Sequence, residues 1–189
     1  INISRAKYST DYPCSFMFVA SMNPCPCGYY GDPTHRCVCT PGQIQRYMNK
    51  ISGPLLDRID IQCEISPVPF QDISKAAPGE PSAKIRERVI KAREVQAERF
   101  KDYKGIHCNA QMTERMIHQF AEPDEQGIEL LRMAMEKLSL SARAYNRILK
   151  VARTIADLAG SEQIKPDHIA EAVGYRTLDR GDWAERGHL

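Results

Sequence analysis

Apolar residues recur along this chain at two spacings, and the change falls near residue 80. In the first part the spacing is that of strands. From Tyr12 to Met22, "YPCSFMFVASM", apolar residues run almost unbroken between Pro13 and Pro24, which predicts a short buried strand. The preceding "INISRAKYST" alternates weakly and reads as a strand or one arm of a hairpin. Farther on, Ile59, Ile61, Cys63 and Ile65 alternate with Asp60, Gln62 and Glu64 until Pro67 and Pro69 break the run, the pattern of a half-buried strand. Between these, Thr40 as N-cap and Pro41 at the first helical position start a helix through "GQIQRYMNKIS", with Gly53 and Pro54 predicted to end it.

Beyond residue 81 the spacing becomes helical. Ser82 is placed to cap a helix carrying Ile85, Val89, Ala92, Val95 and Phe100, with a basic outer face. Ile128, Leu131, Met135 and Leu138 form a second stripe, and Ile148, Val151, Ile155 and Leu158 a third. Pro166 opens a last helix with Ile169, Ala172 and Val173. Helices of this length predict a compact bundle. Pro, Gly, Ala and charge dominate residues 71–81, so the organisation expected is an α/β portion over 1–72, a linker over 73–81, a helical domain over 82–180 and a disordered polar tail over 181–189.

Composition narrows the class. A chain of 189 residues, 42% hydrophobic and 26% charged, can hold one large domain or two small ones. No apolar run approaches the roughly 20 residues of a membrane span, and no basic, apolar, small-residue signal opens the chain, so no membrane partner and a cytosolic location are expected. The net charge of +2 is too near neutral to argue for nucleic acid on its own, although residues 84–104 are basic. Ile1 stands where an initiator Met would, inside a strand-like pattern, and the chain reads as an excised portion of something longer.

A complete catalytic constellation is missing from the sequence: it holds no GxxxxGK[ST] loop, no HExxH and no recognisable Ser, His and Asp spacing. Three polar residues remain in suggestive settings. Asn23, in "SMNP", follows the apolar run and either begins a turn before Pro24 or orients a water or phosphate at a strand's end. Arg58, in "SGPLLDRIDI", is either a surface arginine paired to Asp57 or Asp60, or a guanidinium that reaches into another site to stabilise a transferring phosphoryl group. Arg143, in the first turn of the helix in "SLSARAYNRILK", is either one of several solvated arginines or an anion contact.

Taken in order, "ISRA", "NPCPCG", "RYMNKISGPLLDRIDI" and "LSLSARAYNRILKVARTIADLAGSEQIKPDHIAEAVGYR" resemble the ComM (YifB) family of magnesium-chelatase-like AAA+ ATPases, over nearly the whole chain. The resemblance implies the C-terminal part of an AAA+ α/β nucleotide-binding domain, with a Cys-rich insertion, followed by a helical-bundle lid. It implies ATP and Mg2+ as cofactors of the full-length protein, with the P-loop and Walker B residues upstream of Ile1, so that this piece alone is inactive. Asn23 then matches the sensor 1 asparagine, Arg58 the arginine finger and Arg143 the sensor 2 arginine. It further implies a hexameric ring acting in DNA branch migration, with Arg5 and Lys7 as candidate DNA phosphate contacts. Two other functions stay open: a chelatase-type motor that remodels a protein partner, and a non-enzymatic zinc-binding adaptor.

Seven cysteines are an odd number, and a cytosolic setting disfavours a disulfide framework. Cys25, Cys27, Cys37 and Cys39 form two CxC pairs in "MNPCPCGYYGDPTHRCVCTPG". They read either as a structural Zn2+ site, with His35 as a spare ligand, or as a cluster of reduced buried cysteines. The spacing is tighter than CxxC and leaves less room for two ligands on one ion.

Overall fold

A computed structural model describes residues 1–14, 16–65, 68, 79–138 and 140–176. Strands β1 (Asn2–Arg5) and β2 (Tyr8–Asp11) form an antiparallel hairpin in the register Asn2 to Asp11 and Arg5 to Tyr8. The expected hairpin arm is therefore present. Its two-residue turn, Ala6 and Lys7, demands positive φ, and Ala6 takes it at 47°. Asn2 fastens the open end by donating to Ser9 Oγ (3.0 Å) and Asp11 Oδ1 (2.9 Å).

Helix α1 (Pro41–Met48) starts as the sequence predicts. Thr40 Oγ1 accepts the Gln43 N–H, while Gln43 Oε1 accepts the Thr40 N–H at 2.8 Å, a reciprocal cap. Gly53 and Pro54 do not end this helix; they open a separate turn, α2 (Gly53–Leu56), because Pro fits the first helical positions, where no N–H partner is needed.

The two strands expected over Tyr12–Met22 and Ile59–Ile65 do not form. Their described residues are extended or irregular, and Met17 (88%) and Phe18 (61%) are exposed. A strand satisfies its backbone only against another strand, and the hairpin is the only sheet among the described residues. In the second segment Gln62 is instead buried, its N–H donating to Tyr175 O at 2.9 Å.

The helical part forms as read. Helices α3 (Ser82–Arg99), α4 (Glu114–Phe120), α5 (Glu125–Leu138), α6 (Ala142–Leu158) and α7 (Pro166–Gly174) enclose a core of Phe100, Met116, Ile117, Leu131, Ile148, Leu149, Ile164 and Ile169. Helix α6 is central, packing on α3, α4 and α7, and α5 packs on α7. Ser82 is the first residue of α3 and not its cap, which falls to Pro81. Only the second half of α3 enters the core: Ala92, Gln96 and Phe100 are buried, whereas Ile85, Val89 and Val95 stay about half exposed. Gly127 lets α5 start hard against its own N-terminal loop, since a Cβ there would lie 2.9 Å from Pro123 Cβ.

A polar knot fastens the bundle. Arg99 forks onto Asp157 at 2.5 and 2.7 Å and donates to Asn109 at 2.8 Å. Asn109 donates to the same carboxylate, and Arg153 adds a bond at 3.0 Å while capping the Ser161 and Glu162 carbonyls. Burial pushes the Asp157 carboxyl up, but the bonds from Arg99 and Asn109 and the charge of Arg153 outweigh it and hold it below the ordinary range. The predicted linker lies largely, and the predicted tail wholly, outside the described residues.

Candidate functional site

Arg58 follows α2 and is exposed, its Nη1 donating back to Pro54 O at 2.8 Å. It pairs with neither flanking acid. Both are taken by the helical part: Asp57 accepts from Ser141 Oγ at 3.2 Å and faces Arg176 Nη2 at 3.8 Å, and Asp60 pairs with Arg147. Arg176, fully buried, also donates to Ile59 O. Together with the bond from Gln62 N–H to Tyr175 O, these contacts stitch the segment around Arg58 to the start of α6 and the end of α7. The acids that would have neutralised Arg58 serve instead as anchors.

Ser141 caps α6 by accepting the Ala144 N–H at 3.2 Å, which places Arg143 in the first turn, exposed. Arg58 and Arg143 line one open depression of about 410 Å³, together with Asp60, Glu114, Asn146, Arg147 and Lys150. Among the described residues neither Arg58 nor Arg143 has a carboxylate partner. Lys150 donates to Ala110 O at 2.9 Å, and burial, followed by the charge of Arg147, lowers its pKa.

Asn23 is exposed in the loop after the apolar run and does not line this depression. Its amide lies about 4 Å from the point where a Cβ on Gly28 would stand. Arg5 and Lys7 are exposed at the tip of the β1–β2 hairpin. Of the expected nucleotide residues, the structure thus brings Arg58 and Arg143 together and leaves Asn23 apart. Arg147 and Lys150 were not anticipated, although their positions four and seven residues after Arg143 put all three along one helix face, a spacing legible in "RAYNRILK".

The four CxC cysteines do converge. The Sγ atoms of Cys25 and Cys27 are 3.3 Å apart, those of Cys27 and Cys37 3.5 Å, and those of Cys25 and Cys37 3.7 Å; Cys39 completes a group lying within 4.8 Å. Such a set could hold a metal ion. The N–H groups of Tyr29 and Val38 bring the Cys27 thiol down to about 6, whereas for Cys37 the N–H of Cys39 is outweighed by burial and the neighbouring sulfurs, which push it up to about 12. His35 does not join them: its ring stacks on Tyr29 and bonds Thr34 Oγ1 at 2.8 Å. Asp32, which organises this turn, is held at about 2 by the Thr34 hydroxyl and by the N–H groups of Thr34 and His35.

Comparison with known proteins places the chain. Residues 79–176 match the family model described as magnesium chelatase, subunit ChlI C-terminal, and residues 1–73 the model for magnesium chelatase, subunit ChlI. The competence protein ComM of Haemophilus influenzae is 43% identical over 181 residues, or 95% of this chain and 34% of that protein. The YifB protein of Escherichia coli is 42% identical over the same shares, and a Mycobacterium tuberculosis protein, Rv2897c, 35% identical over 93% of this chain and 34% of its own. The chain spans about a third of the length of these relatives. No helix among the described residues is long and apolar enough to cross a membrane. Matched along nearly its whole length, the chain belongs to the magnesium chelatase ChlI family and carries its C-terminal region in a form similar to ComM and YifB.

Proposed function

We propose that this chain is the C-terminal portion of an AAA+ ATPase of the ComM type, a hexameric ring that couples ATP hydrolysis to DNA branch migration. The observation that carries the reading is the depression in which Arg58 and Arg143 stand without carboxylate partners, on a segment stitched to the helical unit. Guanidinium groups fit the phosphate end of ATP, which supplies the transferable γ-phosphoryl group. The depression is poorly suited to Mg2+, since cations dominate it and Asp60 is tied to Arg147, so the Mg2+ ligands and the phosphate loop are assigned to other parts of the parent protein. Arg58 reaches the γ-phosphate held by a neighbouring subunit and stabilises the charge that spreads over it in the transition state. Arg143, on the rim of the same depression, contacts that end of the nucleotide and transmits its state to α6. Asn23, outside the depression, orients the attacking water in its own subunit.

In the full-length protein, Arg58→Ala should leave nucleotide binding near normal and lower turnover about 10³-fold or more. Steady-state ATPase and fluorescent-nucleotide titration read the two quantities, and hydrolysis within a few-fold of wild type would sink the assignment. The exposed hairpin tip with Arg5 and Lys7 suits DNA phosphates. A second reading, favoured by the chelatase description of the family model, keeps the motor and replaces DNA by a protein partner. Stimulation of the ATPase by DNA that weakens steeply with salt supports the first; stimulation absent at low salt supports the second.

A further inference from the structure

The loop from Met22 to Thr40 is ordered without a core. Among the described residues before position 66, the only fully buried apolar side chains are Cys25 and Ile44, yet four thiols meet inside this loop. Their spacings agree with a mononuclear site. Zn–S bonds of about 2.3 Å at tetrahedral angles require neighbouring sulfurs about 3.8 Å apart; the three separations among Cys25, Cys27 and Cys37 run from 3.3 to 3.7 Å, and with Cys39 included all four sulfurs lie within 4.8 Å of one another. A covalent S–S bond, at about 2.05 Å, is far shorter.

The backbone is shaped to the same end. Gly28, at φ +86°, closes a turn in which its N–H donates to Cys25 O at 3.1 Å, and this brings both thiols of the first CxC onto one side. The tight spacing is thereby accommodated.

We infer that Cys25, Cys27, Cys37 and Cys39 bind one Zn2+ in a closed, structural S4 site. On binding, four S–H bonds give way to four Zn–S bonds, four protons leave to solvent and the site carries a net charge of −2. The soft thiolate set selects Zn2+ over hard cations, and four protein ligands leave no open position for catalysis. The ion's work is mechanical. Asn23 lies two residues before the first ligand, and Cys39 directly precedes Thr40, the cap of α1, so one ion sets the Asn23 loop against the start of that helix. The site stands independently of the nucleotide reading.

The test is elemental analysis of the purified 189-residue chain prepared without chelator, together with thiol counting. About one equivalent of zinc per chain is expected, with a mercurial that titrates the cysteines releasing it in step with the last four thiols. Cys25→Ser should lose the metal and Cys63→Ser, an exposed cysteine outside the cluster, should keep it. Should Cys25→Ser fold poorly, cobalt substitution of the wild type decides: four thiolates give tetrahedral d–d bands with intense sulfur-to-cobalt charge transfer. Zinc below about a tenth of an equivalent, iron in its place, Cys–Cys disulfides by mass spectrometry, or full zinc retention in Cys25→Ser each overturns the assignment.

Discussion

The helical part, residues 82–176, and the N-terminal part, residues 1–65, hold together by different means. The helical part owns nearly all of the apolar core and a buried ionic knot around Asp157. The N-terminal part exposes Phe16, Met17, Phe18 and Val19, and is ordered by a hairpin, a capped helix, a thiol cluster and its stitches to α6 and α7. A helix satisfies its own backbone and needs only one covered stripe, whereas a strand needs partners for its backbone and cover for its side chains. One region therefore completes itself from the residues present, and the other does so only where short-range devices replace a core.

That contrast can be tested by damaging each part. The largest loss of stability is expected at the knot: Asp157→Ala strands Arg99 and Arg153 in the interior and should cost about 3–5 kcal/mol in chemical denaturation. The same carboxylate makes stability depend on acid. Its folded pKa lies below its unfolded value, so its contribution is present above the ordinary carboxylate range and is lost as the pH falls through the depressed one. Melting temperature should therefore drop on acidification, and an Asp157→Asn variant should show a flatter profile over that window.

Leu131→Ala, at a site only 1% exposed, should cost about 2–5 kcal/mol. A smaller effect is expected at the seam. Ser141→Ala removes both the cap on α6 and the bond to Asp57, and should cost about 1 kcal/mol, with faster amide exchange over 57–62 than over the bundle core. Phe18→Ser, in the exposed run, should change the stability of this chain by no more than about 0.5 kcal/mol. A loss comparable to that of Leu131→Ala would show that the run is packed in solution, and the contrast between the two parts would fail.

Much of the fold was legible in the residues. The stripes carrying Leu131, Ile148 and Ile169 became core, and Thr40, Pro41 and Pro166 marked helix starts, because caps and a 3.6-residue period act over a few neighbouring positions. The two predicted strands were misread for the opposite reason. An apolar run such as "FMFVAS" states a demand for cover without stating where the cover comes from.

The candidate site divides along the same line. Arg58, Arg143 and the two CxC pairs are visible as motifs, and their residue types carry their chemistry wherever they lie. Which of them meet was decided by the fold alone. Packing brought Arg58 and Arg143 into one depression, left Asn23 outside it, and engaged Asp57 and Asp60 with α6 and Arg176, since pairing across more than eighty residues of sequence depends on how whole helices dock. Four sulfurs gathered within one loop lie at the boundary: their number, their spacing and the glycine after Cys27 are in the sequence, whereas the meeting of the two CxC pairs is seen only in the three-dimensional structure, since it depends on how the whole loop folds back between Cys27 and Cys37.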